Sequence, residues 1–370
     1  MFLSEVGVYS LNRYSSCLVT ASILSTSSAQ LLLWLSLLSL YQTEEESYYN
    51  IKQLNYTAPP PKGGAFSFTQ NRTMYYGSST IIYFKDNFVK ATEAGIDLYS
   101  QSLHYGYAVF EGIRSYQTES GTVIFKAKEH YERLCYSAQV MGIPFSVSVD
   151  ELIDITYELL KRNEFSDAYI RPVILCSPNM SLSKGKESYL AITAWEWTNG
   201  YLSNQMRVMT SSYRRPNPNG FKINAKVSGH YVNSILACQE AKDNGFDEAL
   251  LLDIDGYVAE GPGANVFYEK GGVLYTPATG NILPGITRAT LLALCDELNI
   301  SVIEKKISPE EMRGADSAFY CGTAAEVVAL ESLDHIPFQK KWEESLGAIL
   351  QQAYKAKVLQ KEYTREMIEV

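Results

Sequence analysis

The feature that most restricts the fold of this chain is the regular punctuation of its second half by tight turns. The run Glu248-Ala-Leu-Leu-Leu-Asp253 returns towards Val258 through Asp255-Gly256, and a second pair of strand-like runs turns at Gly271-Gly272. Two-residue turns of Gly, Asp or Asn accept the positive φ angles a hairpin needs, so both segments read as antiparallel hairpins. Helical periodicity intervenes: from Pro284 on, Leu291, Cys295 and Leu298 share one face, and a run beginning near Gly229 ends at the C-cap candidate Asn244-Gly245. Upstream, residues 80–90 show strand-type runs about an Asp86-Asn87 turn, and residues 121–126, 169–176 and 189–195 read as further strands. Residues 129–141 and 149–162 carry helical spacing, the first through Tyr131, Leu134, Cys135, Ala138 and Met141. The expectation is an α+β fold: a small domain over 74–200, a linker over 201–207 and a larger domain over 208–370.

At 370 residues, 46% apolar and 20% charged, the chain has the composition of a globular protein with two ordinary domains. A net charge of −9 leaves no basic footprint, so nucleic-acid binding is not expected, and an anionic ligand needs locally placed arginines and backbone N–H groups. The six cysteines form no CxxC pair and fall in apolar patterns, which points to neither a metal site nor a disulfide framework and fits a reducing, cytoplasmic compartment. Residues 14–43 carry no charge and include Leu31-Leu-Leu-Trp-Leu-Ser-Leu-Leu-Ser-Leu40, but eight serines interrupt them and the solid apolar stretch is short for a membrane span. With Pro59-Pro-Pro-Lys-Gly-Gly64 reading as a linker, residues 1–73 are expected to be an extension outside the fold.

One lysine stands apart. Ile223-Asn-Ala-Lys226-Val-Ser-Gly-His-Tyr231 sets Lys226 among uncharged residues directly before the helical run. An amine held so can be desolvated and made nucleophilic, as imine chemistry with a carbonyl cofactor requires. Three strings downstream of it, in fixed order, strengthen the signal: Glu260-Gly-Pro-Gly-Ala-Asn265, Leu283-Pro-Gly-Ile-Thr-Arg288 and Cys321-Gly-Thr-Ala-Ala-Glu326. Gly261-Pro-Gly263 is not a dinucleotide loop, because the third glycine is missing and Asn265-Val-Phe-Tyr268 reads as a strand.

With His104-Tyr-Gly-Tyr-Ala-Val-Phe-Glu-Gly-Ile-Arg114, Glu129-His-Tyr-Glu-Arg-Leu134 and Ala168-Tyr-Ile-Arg-Pro172, these strings resemble the branched-chain amino acid aminotransferases of the pyridoxal-phosphate fold type IV group. The resemblance implies a small α/β sandwich domain, a larger pseudo-barrel domain and pyridoxal 5′-phosphate as cofactor. It implies Lys226 as cofactor anchor and acid/base, and Tyr231 bonded to the cofactor O3′. Glu260 would hold the ring nitrogen protonated, which carbanion stabilisation demands. The phosphate is expected at the helix opened by Leu283-Pro-Gly-Ile-Thr287, whose first N–H groups lack partners. The Ile286 and Thr287 N–H groups, the Thr287 and Thr323 hydroxyls, and Arg133 would hold it.

For substrate, the resemblance implies Tyr169 and the N–H groups of Thr323 and Ala324 at the α-carboxylate, with Phe110, Trp197 and Tyr231 as walls. Arg171, two residues from Tyr169 on a strand, shares its face and would receive the distal carboxylate of glutamate. Tyr201 and Tyr105 of the partner subunit would assist, with the loop Met180-Ser-Leu182 also lent across a homodimer or larger homo-oligomer. Ala264 stands where many relatives carry a second acid, and Ser228 and His230 replace smaller or amide residues. The implied reaction exchanges the amino group of leucine, isoleucine or valine with 2-oxoglutarate. An aminodeoxychorismate lyase or a D-amino acid aminotransferase of the same fold is the alternative, and Phe110-Glu-Gly-Ile-Arg114 favours the branched-chain type. A cofactor-free binding protein, membrane-attached through residues 14–43, is the non-enzymatic alternative and would be colourless.

Overall fold

The computed structural model describes residues 75–197 and 205–362. The expectations for residues 1–73, for Tyr201 and for most of the linker lie outside the described residues. Residues 73–370 cluster as one compact unit.

The first sheet has seven strands among the described residues: β1 (Ile81–Phe84), β2 (Asn87–Lys90), β3 (Ala108–Phe110), β4 (Ile113–Thr118), β5 (Gly121–Ile124), β6 (Ala168–Cys176) and β7 (Ser188–Glu196). Its order is β2-β1-β7-β6-β4-β5, with β3 on β6, and every pairing is antiparallel. The β1–β2 turn sits one residue earlier than expected. Lys85 and Asp86 take the positive φ values of 49° and 63°, and Asn87 already pairs with Phe84. After α1 (Gln101–Tyr105) come α2 (Ala127–Met141) and α3 (Val149–Asn163). Ser148 caps α3 by accepting the Glu151 N–H, and Gly142 closes α2 in the left-handed conformation. Tyr131, Leu134, Leu152 and Leu159 from the two helices pack on Ile113, Ile170 and Ile174 of the sheet. Burial of side chains of this size contributes roughly 1.5–3 kcal/mol each.

The second sheet has nine strands among the described residues: β8 (Gln205–Arg214), β9 (Glu248–Leu252), β10 (Val258–Glu260), β11 (Asn265–Lys270), β12 (Val273–Pro277), β13 (Val302–Lys305), β14 (Ser317–Gly322), β15 (Glu326–Leu333) and β16 (Ile336–Pro337). Its order is β10-β9-β8-β15-β14-β11-β12-β13, with β16 on β15. Both hairpins form as the turns predict, β9–β10 at Gly256 and β11–β12 at Gly271 and Gly272, all at positive φ. The parallel pairs, β8 with β9 and β15 and β12 with β13, are crossovers that no turn motif announces. β8 begins at Gln205, so the strand takes in the last residues of the expected linker.

The expected helix near Gly229 opens as a single 3₁₀ turn, Ser228–His230, and continues as α4 (Tyr231–Asp243). Three more helices follow among the described residues: α5 (Ile286–Glu297), α6 (Pro309–Arg313) and α7 (Leu346–Val358). On α5 the expected apolar face is present: Leu291, Leu294 and Cys295, with Leu298 just past its end, pack on Phe267, Phe319 and Tyr354. Cys176, Cys295 and Cys321 are buried free thiols, and Cys135 and Cys238 are half-buried ones.

The lysine segment belongs to neither helix nor sheet of its own half. Ala225 and Val227 are buried in the core of the first sheet, and Val227 bridges Val109 on β3. Close approach makes this possible: the Gly229 N–H donates to the Gly106 carbonyl at 3.0 Å, and a Cβ on Gly106, whose φ is +62°, would lie 2.7 Å from the Gly229 Cα.

Candidate active site

Lys226 is fixed by its backbone before its side chain does anything. Its N–H donates to Ser137 Oγ on α2 at 3.0 Å, and its carbonyl accepts the Phe110 N–H at 3.1 Å. The amine then reaches Tyr231 Oη at 2.7 Å and lies 5.1 Å from the centre of the Phe110 ring. Phe110 and Tyr231 meet edge to face with centroids 4.9 Å apart. The amine thus emerges between an aromatic wall and a phenol.

A cleft of about 580 Å³, including space open to solvent, lies before it. Its lining includes Lys226, Arg133, Tyr231, Glu260, Leu283, Ile286, Thr287 and Thr323. Every residue that the resemblance assigns to the cofactor is therefore on one surface, although they come from α2, the lysine loop, α4, β10, the loop before α5, α5 itself and the loop after β14.

At one end sits Glu260, buried at the end of β10. Its Oε1 is 2.8 Å from Arg215 Nη2 and accepts the Leu283 N–H at 3.1 Å, while its Oε2 accepts Asn265 Nδ2 at 2.9 Å. Burial raises the Glu260 pKa above the usual carboxylate value, and the Arg215 guanidinium and the Leu283 N–H pull it back. Leu283 lines the cleft with its N–H engaged by Glu260 and its carbonyl by Asn265. Its N–H holds the carboxylate directly, and its carbonyl accepts from the Asn265 amide that also donates to the carboxylate.

At another part of the lining α5 begins with no side chain capping it, so its first N–H groups face the cleft. The Gly285 position here is obligatory, because a Cβ would meet Asn265 Oδ1 at 1.9 Å. Arg133 approaches from α2, held by Glu111 and by the Pro284 carbonyl at 2.8 Å.

The donor set fits a flat, phosphate-bearing group. Cationic and uncapped N–H donors suit the phosphate, a buried carboxylate suits a ring nitrogen, and Arg215 Nε in the lining is a buried donor with no partner. Lys226 and Tyr231 lie on the same lining, as an aldehyde and a phenolic oxygen on that ring require.

Beyond Tyr231 the substrate candidates form an aromatic group around one cation. Arg171 Nη2 donates to Tyr169 Oη at 3.1 Å, and its guanidinium carbon is 4.8 Å from the Phe110 ring centre, so the expected shared face of Tyr169 and Arg171 is observed. Tyr169 packs against Trp195 and Trp197, at 5.0 and 5.1 Å. Ala324 and Trp197 line a neighbouring cavity together with Arg114 and Glu326. Tyr105 lies on the surface with its hydroxyl on the Met180 carbonyl at 3.0 Å, so these two elements are joined within one chain.

Three residues of the site escape a reading of the sequence. Arg215 comes just after β8, and only its pairing with Glu260, 45 positions later, reveals it. Glu111 and His130 stand inside recognisable motifs, yet nothing in the strings says that they face each other. The adjacency of Glu111 to Phe110 was the available signal for the first.

The class IV amino-transferase family model matches residues 108–333. The branched-chain-amino-acid aminotransferase of Pseudomonas aeruginosa is 40% identical over 261 residues, covering 69% of this chain and 85% of that protein. The Escherichia coli K12 protein of the same name is 38% identical over 264 residues, with the same coverage. Among solved structures, the branched-chain aminotransferase from Thermoproteus uzoniensis with norvaline superposes with a TM-score of 0.74 at 36% identity, covering 78% of this chain and 97% of that one. The holo-form with pyridoxal phosphate from Thermobaculum terrenum gives 0.72 at 30%, covering 78% and 96%. The chain belongs to the class IV aminotransferases. Its fold is the α+β, fold type IV architecture of that family.

Proposed function

We propose that this protein uses pyridoxal 5′-phosphate to transfer the amino group of leucine, isoleucine or valine to 2-oxoglutarate, giving branched-chain 2-oxo acids and L-glutamate. The observation that carries the reading is the Lys226 amine on Tyr231 Oη, in one cleft with the buried Arg215–Glu260 pair, Arg133 and the uncapped start of α5. The identity to several branched-chain aminotransferases supports the substrate class.

Bound there, the cofactor supplies an aldehyde carbon and an electron-withdrawing ring. The protein supplies the rest. Lys226 would anchor the cofactor and move the proton at the substrate Cα. Tyr231 holds the lysine amine in line. Glu260, buried but paired with Arg215, would hold the ring nitrogen and favour its protonated form. Arg133 and the Ile286 and Thr287 N–H groups would hold the phosphate with Thr323, and the aromatic walls Phe110, Tyr231 and Trp197 would exclude water. Tyr169 and the Thr323 and Ala324 N–H groups take the α-carboxylate, and Arg171 takes the side-chain carboxylate of glutamate.

The same reading assigns residues 74–200 and 208–370 to a small and a large domain and leaves residues 1–73 outside the fold. It makes the enzyme a cytoplasmic homodimer or larger homo-oligomer. Leu98, Tyr99, Leu103, Met180 and Leu182 are exposed, Leu182 to 90%, on two segments joined by the Asn179 N–H on the Tyr99 carbonyl and by Tyr105 on the Met180 carbonyl, which supports a second copy that covers this face and receives Tyr105. Among the described residues no helix is long and apolar enough to cross a membrane. The test is a visible spectrum of the purified protein, followed by single amino donors with 2-oxoglutarate. A colourless protein, or one that forms no glutamate from leucine, isoleucine or valine, defeats the proposal.

A further inference from the structure

Glu111 is a carboxylate with no solvent exposure, placed on the loop between β3 and β4 and pointed at α2. Its oxygens take Arg133 Nε at 2.6 Å and Nη2 at 2.9 Å, and Oε2 also takes His130 Nδ1 at 2.8 Å. The Pro284 carbonyl takes one Nη1 proton of the same guanidinium. A guanidinium has five N–H donors, so three are occupied and two remain, one on each Nη. Those two form the outer edge of the fork, on the side chain that lines the cleft beside Gly285, Ile286 and Thr287.

An arginine with a free stem samples many rotamers, and holding it in one geometry costs side-chain entropy each time a ligand binds. Here the carboxylate grips the Nε edge, and the imidazole of His130 fixes the carboxylate. The arginine also clamps the carbonyl just before α5, so the helix N-terminus and the cation share one frame.

The arrangement has a cost, because the negative Glu111 lies against the arginine that must attract a phosphate. With His130 neutral through burial, the Glu111–Arg133 pair sums to zero charge. A site built for anion attraction alone would have no carboxylate there. We infer that Glu111, oriented by His130, is a positioning residue that presents the outer edge of Arg133 to the cofactor phosphate, and that the enzyme's preference for a phosphorylated cofactor depends on it. The inference rests on the proposed binding of pyridoxal phosphate in this cleft.

Charge and orientation give opposite expectations for Glu111→Gln. Removing a negative charge near an anion site should tighten phosphate binding. Loss of the grip should weaken it, because the amide NH₂ meets guanidinium N–H groups donor to donor. The experiment measures dissociation constants of pyridoxal phosphate and of pyridoxal for the full chain by equilibrium dialysis with absorption readout, in wild type, Glu111→Gln, Arg133→Ala and the double variant. Glu111→Gln is expected to weaken pyridoxal phosphate by roughly ten- to a hundredfold, the range for a hydrogen bond to a charged group, while pyridoxal changes less than about threefold. In the Arg133→Ala background the same substitution is expected to leave the preference unchanged.

Tighter or unchanged pyridoxal phosphate binding, equal weakening of both compounds, or a further loss without Arg133 would each overturn the inference. A wild-type chain that takes up no pyridoxal phosphate would instead overturn the cofactor assignment itself. Should Glu111→Gln not fold, His130→Asn removes only the second anchor and is expected to lower the preference by roughly three- to tenfold. An unchanged preference in that variant has the same overturning force.

Discussion

Lys226 and Tyr231, five residues apart and joined at 2.7 Å through Nζ and Oη, are held by different parts of the molecule. The lysine backbone is bonded to Ser137 on α2 and Phe110 on β3, whereas the tyrosine opens α4, which packs on β8 and β9. Lys226→Ala is expected to abolish transamination and the visible absorption of the linked cofactor. Tyr231→Phe should keep both but lower kcat roughly three- to tenfold, the value of one ordinary hydrogen bond. Stopped-flow spectra of the half-reaction with leucine measure both, and near-wild-type turnover by Lys226→Ala would exclude the assignment.

Glu260 and Arg215 make a buried pair, and removing one partner strands the other. Arg215→Ala is expected to destabilise the protein by roughly 3–5 kcal/mol, measured by urea unfolding. Glu260→Gln should retain the cofactor and slow the proton-transfer step by roughly 10²–10³, because a neutral amide does not favour a protonated ring. Single-turnover rates equal to those of wild type would remove that role from Glu260.

Arg171 lies over Phe110 and bonded to Tyr169, a cation beside an apolar wall. A leucine side chain needs only the wall, and a glutamate side chain needs the cation. Arg171→Met should therefore raise KM for glutamate and 2-oxoglutarate by about 1.5–3 kcal/mol and leave leucine nearly unchanged. Equal loss for both substrates, with a lower Tm, would show that the arginine is structural.

The His230 ring is buried beside Arg215, and both effects, burial first, pull its pKa from 6.5 to about 4. Between these values the unfolded chain carries a proton that the folded chain refuses, so stability falls as pH drops from 6.5 towards 4. After allowance for solvent screening, His230→Asn should reduce that acid-induced loss by about 1–2 kcal/mol, read from urea midpoints at pH 7 and pH 4.5. Parallel pH profiles for variant and wild type would count against this histidine.

Local chemistry made much of this molecule legible. Glycine pairs named two hairpins, apolar spacing named α2, α3 and α5, and the ordered strings around Lys226, Glu260 and Thr287 located the cleft. The exceptions share a physical cause. Register in β8, which pairs in parallel with β9 and β15, is set by contacts far away in sequence, so its start at Gln205 left no local mark. Arg215 and Glu111 act through partners on other elements, and an arginine or glutamate in a string looks the same whether it meets water or a buried counter-ion.

The contact of Gly106 with Gly229 bears on how this centre can be transplanted. A chimera of two relatives with its crossover between residues 110 and 225 would seat one parent's lysine loop on the other parent's glycine and strand. Because a methyl group on either side meets backbone, such a hybrid is expected to keep the lysine loop in place only where both parents carry glycine at both positions. The exchangeable unit is a discontinuous module, residues 106–111 together with 223–231, and libraries that shuffle this enzyme should move the two pieces as one.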